Sequence, residues 1–293
     1  MTTVCDVMDD LRAMAAVKAA LAEDVGEGDA TTLALVDPAA RATGEILARE
    51  ACRVAGVTVA RAVLTCVDPA LRVAVIVPDG ETVEPGDTIL TIEGKATSIL
   101  TAERTALNFM QRMCGIATLT ARFVKAVEAY GTMILDTRKT TPNLRLFEKY
   151  AVTCGGGTNH RFGLYDRVLV KDNHRRLWQG GDPDRLDLAV AAAREAFPLL
   201  EVEIEVESVA ECQSALRGRP EWIMLDNMSC EMMRTCVALC RGVSKTEASG
   251  GITLARAQEV AATGVDAISL GCLTHSAPSI DLALEWRAEV GNG

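Results

Sequence analysis

At 293 residues the chain has room for one large or two modest domains, and its 40 acidic against 30 basic residues give a net charge of −10. That charge excludes general binding to nucleic acid or to an anionic membrane, and no apolar run approaches the roughly 20 residues of a membrane span. With 49% hydrophobic and 4% aromatic residues, the composition is that of a globular enzyme whose core is filled by Ala, Val, Leu and Met.

The N-terminal stretch MTTVCDVMDDLRAM is acidic and amphipathic, unlike a targeting peptide. The ten cysteines include no C-x-x-C pair. Cys236 and Cys240, four residues apart on a predicted helix, have a spacing that could hold a metal. With no histidine near them in sequence, they read as buried free thiols. A reduced cytoplasm is the expected compartment.

Apolar positions at Val7, Leu11, Met14, Leu21 and Val25 predict a helix over 6–25, ended by Gly26 and Gly28. Residues 41–93 read as short strands, GEILA, CRVAGV, LRVAVIV and DTILTIEG, with a helix near 58–66. Pro69, Pro78-Asp79-Gly80 and Glu84-Pro85-Gly86-Asp87 punctuate them. The segment DGETVEPGDTILTIEG resembles the turn of biotinyl and lipoyl carrier domains, but no lysine sits at a hairpin tip between apolar neighbours. This half predicts a small α/β domain with one open sheet. Residues 98–130 carry two helical patterns, broken near Cys114-Gly115. Strands are then expected at 132–135, 167–171, 201–206, 221–225, 243–247 and 265–270, with helices at 184–197, 208–217, 229–241 and 253–263 separating the later ones. Repeated βα units imply a parallel sheet, and connections of this number and length favour an α/β barrel over an open sheet.

The carboxyl ends of these strands carry the chemistry. They run into Asp136-Thr137-Arg138-Lys139, Lys171-Asp172-Asn173-His174, Glu203 and Glu205, Asp226-Asn227, Ser249-Gly250-Gly251, and Ser269 to Gly271. In an α/β barrel all such ends open on one face, where active sites lie. In EVEIEVE, acids alternate with β-branched residues, so the acids share one face. Where helices cover Val202, Ile204 and Val206, that face points inward and its carboxylates need cations, a metal or hydroxyls. Glu205 and Asp226 at adjacent strand ends suit ribose hydroxyls or a Mg²⁺-bound diphosphate. Ser249-Gly250-Gly251 before one predicted helix, and Gly271 before another, offer backbone N–H groups to a phosphate monoester.

Between Asp136 and His174 seven lysines and arginines, Arg138, Lys139, Arg145, Lys149, Arg161, Arg167 and Lys171, face four acids in an otherwise acidic chain. A solvated helix face explains most charge runs. Here the cations flank Thr-Thr-Pro and Gly155-Gly156-Gly157 and come in pairs, Arg138-Lys139 and His160-Arg161, at predicted strand ends. That pattern reads as an anion site. His160, between Asn159 and Arg161, reads as a substrate contact, whereas His174 and His275 read as structural. Arginine forks match planar carboxylates. No Ser-His-Asp or Cys-His arrangement stands out. RNA binding fails on the missing aromatic interleaving.

The segments EDVGEGDATT, ERTALNFMQRMCGIAT, DTRKTTP, EKYAV, GGGTNHR, KDNH, MLDNM, EASGGI and SLGCLTHS, in this order, resemble quinolinate phosphoribosyltransferase, the carboxylating nicotinate-nucleotide diphosphorylase, over nearly the whole chain. One departure is Asn143 where glycine is expected after Thr-Thr-Pro; asparagine tolerates the left-handed conformation that the turn needs. The resemblance implies an N-terminal open-faced α/β sandwich (1–103), a C-terminal α/β barrel of type II phosphoribosyltransferase form (104–275), and a tail (276–293) that can pack back on the N-terminal domain. It implies that phosphoribosyl passes from phosphoribosyl diphosphate to quinolinate with decarboxylation, in NAD biosynthesis, with Mg²⁺. Arg138, His160 and Arg161 are then expected on quinolinate, with Lys171 near a carboxylate, Lys139 also facing diphosphate, and Thr137 beside them. Glu205 and Asp226 are expected on ribose or metal, and Ser249, Gly250, Gly251, Ser269 and Gly271 on phosphate. It also implies a head-to-tail homodimer, with a higher oligomer open, in which Arg104 enters the partner's site. The rivals are the paralogue associated with molybdate transport, expected to lack much of the NHR and KDNH pattern, and a non-catalytic anion-binding barrel, which would not want inward Glu205 and Asp226.

Overall fold

The computed structural model describes residues 6–178 and 181–287. In chain order the helices are α1 (Leu11–Val25), α2 (Ala30–Leu35), α3 (Val57–Val67), α4 (Ala96–Val127), α5 (Arg145–Cys154), α6 (Asp172–Leu177), α7 (Leu186–Ala196), α8 (Val209–Arg217), α9 (Cys230–Cys240), α10 (Leu254–Ala261) and α11 (Cys272–His275). The strands are β1 (Arg41–Ala48), β2 (Cys52–Arg53), β3 (Arg72–Val75), β4 (Thr82–Val83), β5 (Thr88–Lys95), β6 (Met133–Leu135), β7 (Val168–Val170), β8 (Val202–Val206), β9 (Trp222–Asp226), β10 (Lys245–Ser249), β11 (Ala267–Ser269) and β12 (Leu282–Trp286). The chain divides into two compact units, one comprising 1–121, 140–156 and 272–293, the other 122–139 and 157–271. The first five residues of the acidic N-terminal stretch and residues 288–293 of the expected tail lie outside the described residues.

The first unit is built on a four-stranded antiparallel sheet in the order β12-β1-β5-β3. Ile46 and Ala48 on β1, and Leu90 and Ile92 on β5, are buried on one face of it. Helix α3 supplies Val59, Ala60, Val63 and Leu64 to the same core. Asp79 anchors this region: it accepts the Val57 N–H at the start of α3 at 3.0 Å and the Tyr150 hydroxyl from α5 at 2.8 Å. Burial raises its carboxyl above the ordinary range, a shift that these hydrogen bonds offset. Three expectations are corrected here. The strand expected over Cys52–Val57 stops at Arg53, because Gly56 takes a positive φ of 95° and opens α3. It pairs with β4 as a separate two-stranded ribbon, outside the main sheet. The two helices expected over 98–130 are one 32-residue helix, α4. Gly115 lies inside it for packing: a Cβ there would fall 1.9 Å from the Pro278 carbonyl oxygen. Asn143 has φ 65°, the left-handed conformation expected of it.

The second unit carries a six-stranded parallel sheet in the order β6-β11-β10-β9-β8-β7. The last strand in sequence pairs with the first, Ala267 beside Met133, as closure into a barrel requires. On the other edge of β6, Thr158 bridges Leu135, and the Thr158 N–H donates to Ile134 O at 2.8 Å. The 158–161 segment thus lies along the outer edge of β6. The fifth strand begins at Lys245, two residues later than expected, because Val243 and Ser244 close a turn onto Cys240 O. All five residues of β8 are buried, so its acids face the interior, as the alternation requires. Cys212 on α8 and Cys240 on α9 lie 3.6 Å apart as buried thiols. No helix among the described residues is long and apolar enough to cross a membrane.

Candidate active site

Every expected site residue of the barrel lies in the second unit, at or just beyond the carboxyl end of a strand except His160 and Arg161, which follow the isolated bridge at Thr158. Asp136, fully buried after β6, accepts the His160 N–H at 2.8 Å and donates its own N–H to Thr158 O at 3.2 Å. These bonds tie the Asp136–Lys139 loop to the 158–161 segment. Thr137 Oγ1 accepts the Lys139 N–H at 3.0 Å, which folds the loop so that Lys139 is exposed. Arg138 is half-buried, and its Nε has no hydrogen-bond partner. The Arg161 guanidinium has a lowered pKa, first from burial and next from the charge of Arg138. Two guanidiniums held close enough to repel each other, partly out of water, are a receptor for anions.

Across the mouth, Lys171 Nζ lies 2.6 Å from Glu205 Oε2. Lys171 was expected near a substrate carboxylate; its partner here is Glu205. Carboxylate oxygens of Glu205, Glu207 and Asp226 lie within 4.8 Å of one another. Asn227 Nδ2 donates to Asp226 at 2.7 Å. Asn227 itself has φ 53°, and its N–H donates to Ser249 O at 2.9 Å. Gly250 has φ 96°, and a Cβ there would fall 2.2 Å from Asn227 Oδ1. The Asp-Asn and Ser-Gly-Gly loops therefore interlock, and only glycine fits at 250. Ser269 is buried at the end of β11 and Gly271 is partly exposed just beyond it.

His160, expected as a substrate contact, lies mostly inside the barrel among side chains of its own unit. It is only 8% exposed; Nδ1 accepts the Arg161 N–H at 2.7 Å, and Nε2 faces Glu203 at 3.0 Å and Glu247 at 3.4 Å. Burial lowers its pKa while hydrogen bonds and charge from the two glutamates raise it, and the Arg161 N–H on Nδ1 keeps that nitrogen unprotonated. Arg104 is exposed on α4, in the first unit. The neighbouring Glu103 has its carboxyl raised by burial, and Arg104 offsets the shift. The sequence reading assigned no role to Glu247 or Arg167. Glu247, in the strand KTEAS, alternates with Thr246 and Ala248 as Glu203 and Glu205 do in β8, and that period-two signal was available.

A parallel α/β barrel with paired arginines and an acid cluster at its mouth has the form of a phosphoribosyl-transferring barrel. Models of the N- and C-terminal domains of quinolinate phosphoribosyl transferase match residues 29–114 and 116–285. The chain belongs to that family. It is 39% identical to a probable nicotinate-nucleotide pyrophosphorylase [carboxylating] of Synechocystis, covering 90% of this chain and 89% of the relative. The corresponding Bacillus subtilis protein is 37% identical, with the same coverage of 90% and 89%. The nicotinate-nucleotide pyrophosphorylase structure from Francisella tularensis superposes with a TM-score of 0.88 at 37% identity, covering 94% of this chain and 96% of that one.

Proposed function

We propose that the chain carries out its family's reaction, transfer of phosphoribosyl from phosphoribosyl diphosphate to quinolinate, giving nicotinate mononucleotide, CO₂ and diphosphate. The observation that carries this reading is the pairing, at one mouth, of the mutually repelling Arg138 and Arg161 with the Glu205–Glu207–Asp226 acid cluster. A dicarboxylate relieves the first, and a ribose or metal-bound diphosphate engages the second.

Arg138 and Arg161 hold the quinolinate carboxylates, Thr137 borders them, and Lys171, released in part from Glu205, adds a third cation. The pyridine nitrogen lone pair attacks the anomeric carbon as the bond to the diphosphate oxygen breaks. Lys139 and Lys171 stabilise the charge that develops on the departing diphosphate. Ser249, Gly250, Gly251, Ser269 and Gly271 hold the 5-phosphate. The electrons of the adjacent carbon–carboxylate bond then stay on that ring carbon, stabilised by the neighbouring pyridinium nitrogen, as CO₂ leaves, and a proton from water adds there to give nicotinate mononucleotide. The close carboxylates of Glu205 and Asp226 fit Mg²⁺, which would neutralise diphosphate charge when bound. We place the enzyme in the cytoplasm, a reading supported by nine described cysteines that are all free thiols.

The test is quinolinate-dependent release of diphosphate with phosphoribosyl diphosphate and Mg²⁺, with nicotinate as control. Nicotinate should be a poor substrate, because it leaves cations desolvated and unpaired; comparable turnover of nicotinate overturns the reading. We also propose a homodimer with shared sites, supported by the exposure of Arg104 on α4. Arg104→Ala and Lys139→Ala, each inactive alone, should regain activity when their subunits exchange, since one site in each mixed dimer is intact. A mixture with confirmed exchange that stays inactive refutes sharing.

A further inference from the structure

Glu203, His160 and Glu247 meet inside the barrel, with exposures of 0%, 8% and 0%. On β8, Glu203 is the next inward-facing position below Glu205. Each of the three could offer a ligand atom to a metal, all within 4.8 Å of one another. The ring tautomer argues for another use. Because Nδ1 accepts the Arg161 N–H, the proton of the neutral imidazole sits on Nε2, the atom that faces the carboxylates. That nitrogen lies 3.0 Å from Glu203, and while it carries the proton it has no lone pair for a metal.

Glu203 Oε2 reaches two groups at once, His160 Nε2 at 3.0 Å and Arg167 Nη1 at 3.3 Å. Both lead to Arg161. The His160 ring takes the Arg161 amide, and the Arg167 carbonyl takes Arg161 Nη1 at 3.3 Å. Asp136 holds the His160 amide from the other side at 2.8 Å. The backbone and the guanidinium of Arg161 are therefore tethered separately, and both tethers converge on one buried carboxylate. The same carboxylate is a counter-charge to Arg161.

We propose that Glu203 is a positioning residue, which from the barrel interior fixes the orientation of Arg161 toward an anionic substrate. This rests on the reading that Arg161 binds a quinolinate carboxylate. A glutamate that merely fills the core would affect stability and leave the two substrates' kinetics alike.

The full-length protein is compared with Glu203→Gln, which keeps the volume and loses the charge, and with Glu203→Ala, each also in an Arg161→Ala background. KM for quinolinate should rise at least tenfold in Glu203→Ala and less in Glu203→Gln, while KM for phosphoribosyl diphosphate stays within twofold. In the Arg161→Ala background, neither change should raise the quinolinate KM further. If Glu203→Ala fails to fold, Glu203→Gln carries the same comparisons. With three histidines in the chain, ¹⁵N imidazole spectra resolve His160 directly. Its signals should show the Nε2–H tautomer in the wild type and shift in Glu203→Gln, with or without quinolinate. Unchanged quinolinate KM in Glu203→Gln, or equal losses in both Arg161 backgrounds, overturns the proposal. A wild type that neither binds nor turns over quinolinate overturns the reading of the site instead, and the spectra still report on the tether.

Discussion

The two ends of the barrel are made from the same strands and treat charge in opposite ways. At the N-terminal end, Arg167 pairs with Glu201 at 2.8 Å and lies over the Trp222 ring, and Lys245 lies over the same ring. Arg194 from α7 pairs there with Glu221 at 2.9 Å. A cavity of about 540 Å³ opens at this end, lined by Trp222, Lys245, Glu201, Glu221 and Asp266 among others. Arg167, Arg194 and Lys245 there already have a carboxylate or an aromatic face. At the C-terminal end, Arg138 and Arg161 work against each other and the Arg138 Nε is left without a hydrogen bond. A settled end can be spent on stability, whereas an unsettled one stores a demand that only a ligand meets.

The sharpest way to break this comparison is at the acids. Glu205→Ala and Asp226→Ala should each lower kcat/KM by two orders of magnitude or more with the circular dichroism spectrum unchanged. Arg194→Ala at the opposite end should stay within twofold, and equal losses at both ends would abolish the distinction. Next, Arg161→Ala should weaken quinolinate binding by about 2–5 kcal/mol, read by calorimetry, the cost of removing one partner of a desolvated charge pair. Lys245→Ala, tested in the same way, should leave it unchanged.

A smaller effect probes the layer between the two ends. Burial, and then the charge of Glu203, raise the Glu247 carboxyl above its ordinary value, so folding favours its protonated form. The wild type then loses stability as pH rises from the ordinary glutamate value through the folded one. Glu247→Gln has no such proton to lose, so its Tm should exceed that of the wild type by a margin that widens over this window. A margin independent of pH would show that Glu247 does not titrate as placed. The smallest effect belongs to the exposed Arg194–Glu221 pair, which is half open to water. Its removal should cost about 0–1 kcal/mol in chemical denaturation.

The barrel was legible because its signals are local and periodic. In EVEIEV each acid follows an apolar residue, and the strand ends fall on Asp136, Lys171, Asp226 and Ser249, where glycine and polar residues interrupt the apolar pattern. The continuity of α4 was hidden because Gly115 signals a break by propensity, while the reason for it is Pro278, more than 160 positions away in sequence. The brevity of β2 was hidden by an apolar run that serves a strand and the start of a helix alike. At the site, charge and position picked out Arg138, Arg161, Glu205 and Asp226. The direction in which His160 points is set by Glu203 and Glu247, carried on two strands distant in sequence from it, and no local pattern encodes that.

The pairing of β1 with β12 has a consequence for how the molecule is made. β1 leaves the ribosome well over 200 residues before β12, yet they lie side by side, Gly44 opposite Trp286. Throughout synthesis of the barrel, β1 can pair with β5 and nothing else on its other flank. An unpaired strand edge is a template for a neighbouring chain, and contacts this distant in sequence form late. Residues 282–286 thus close the edge that β1 leaves open, and a ribosome stalled before residue 282 would release a chain with a finished barrel sequence and an unsealed sheet.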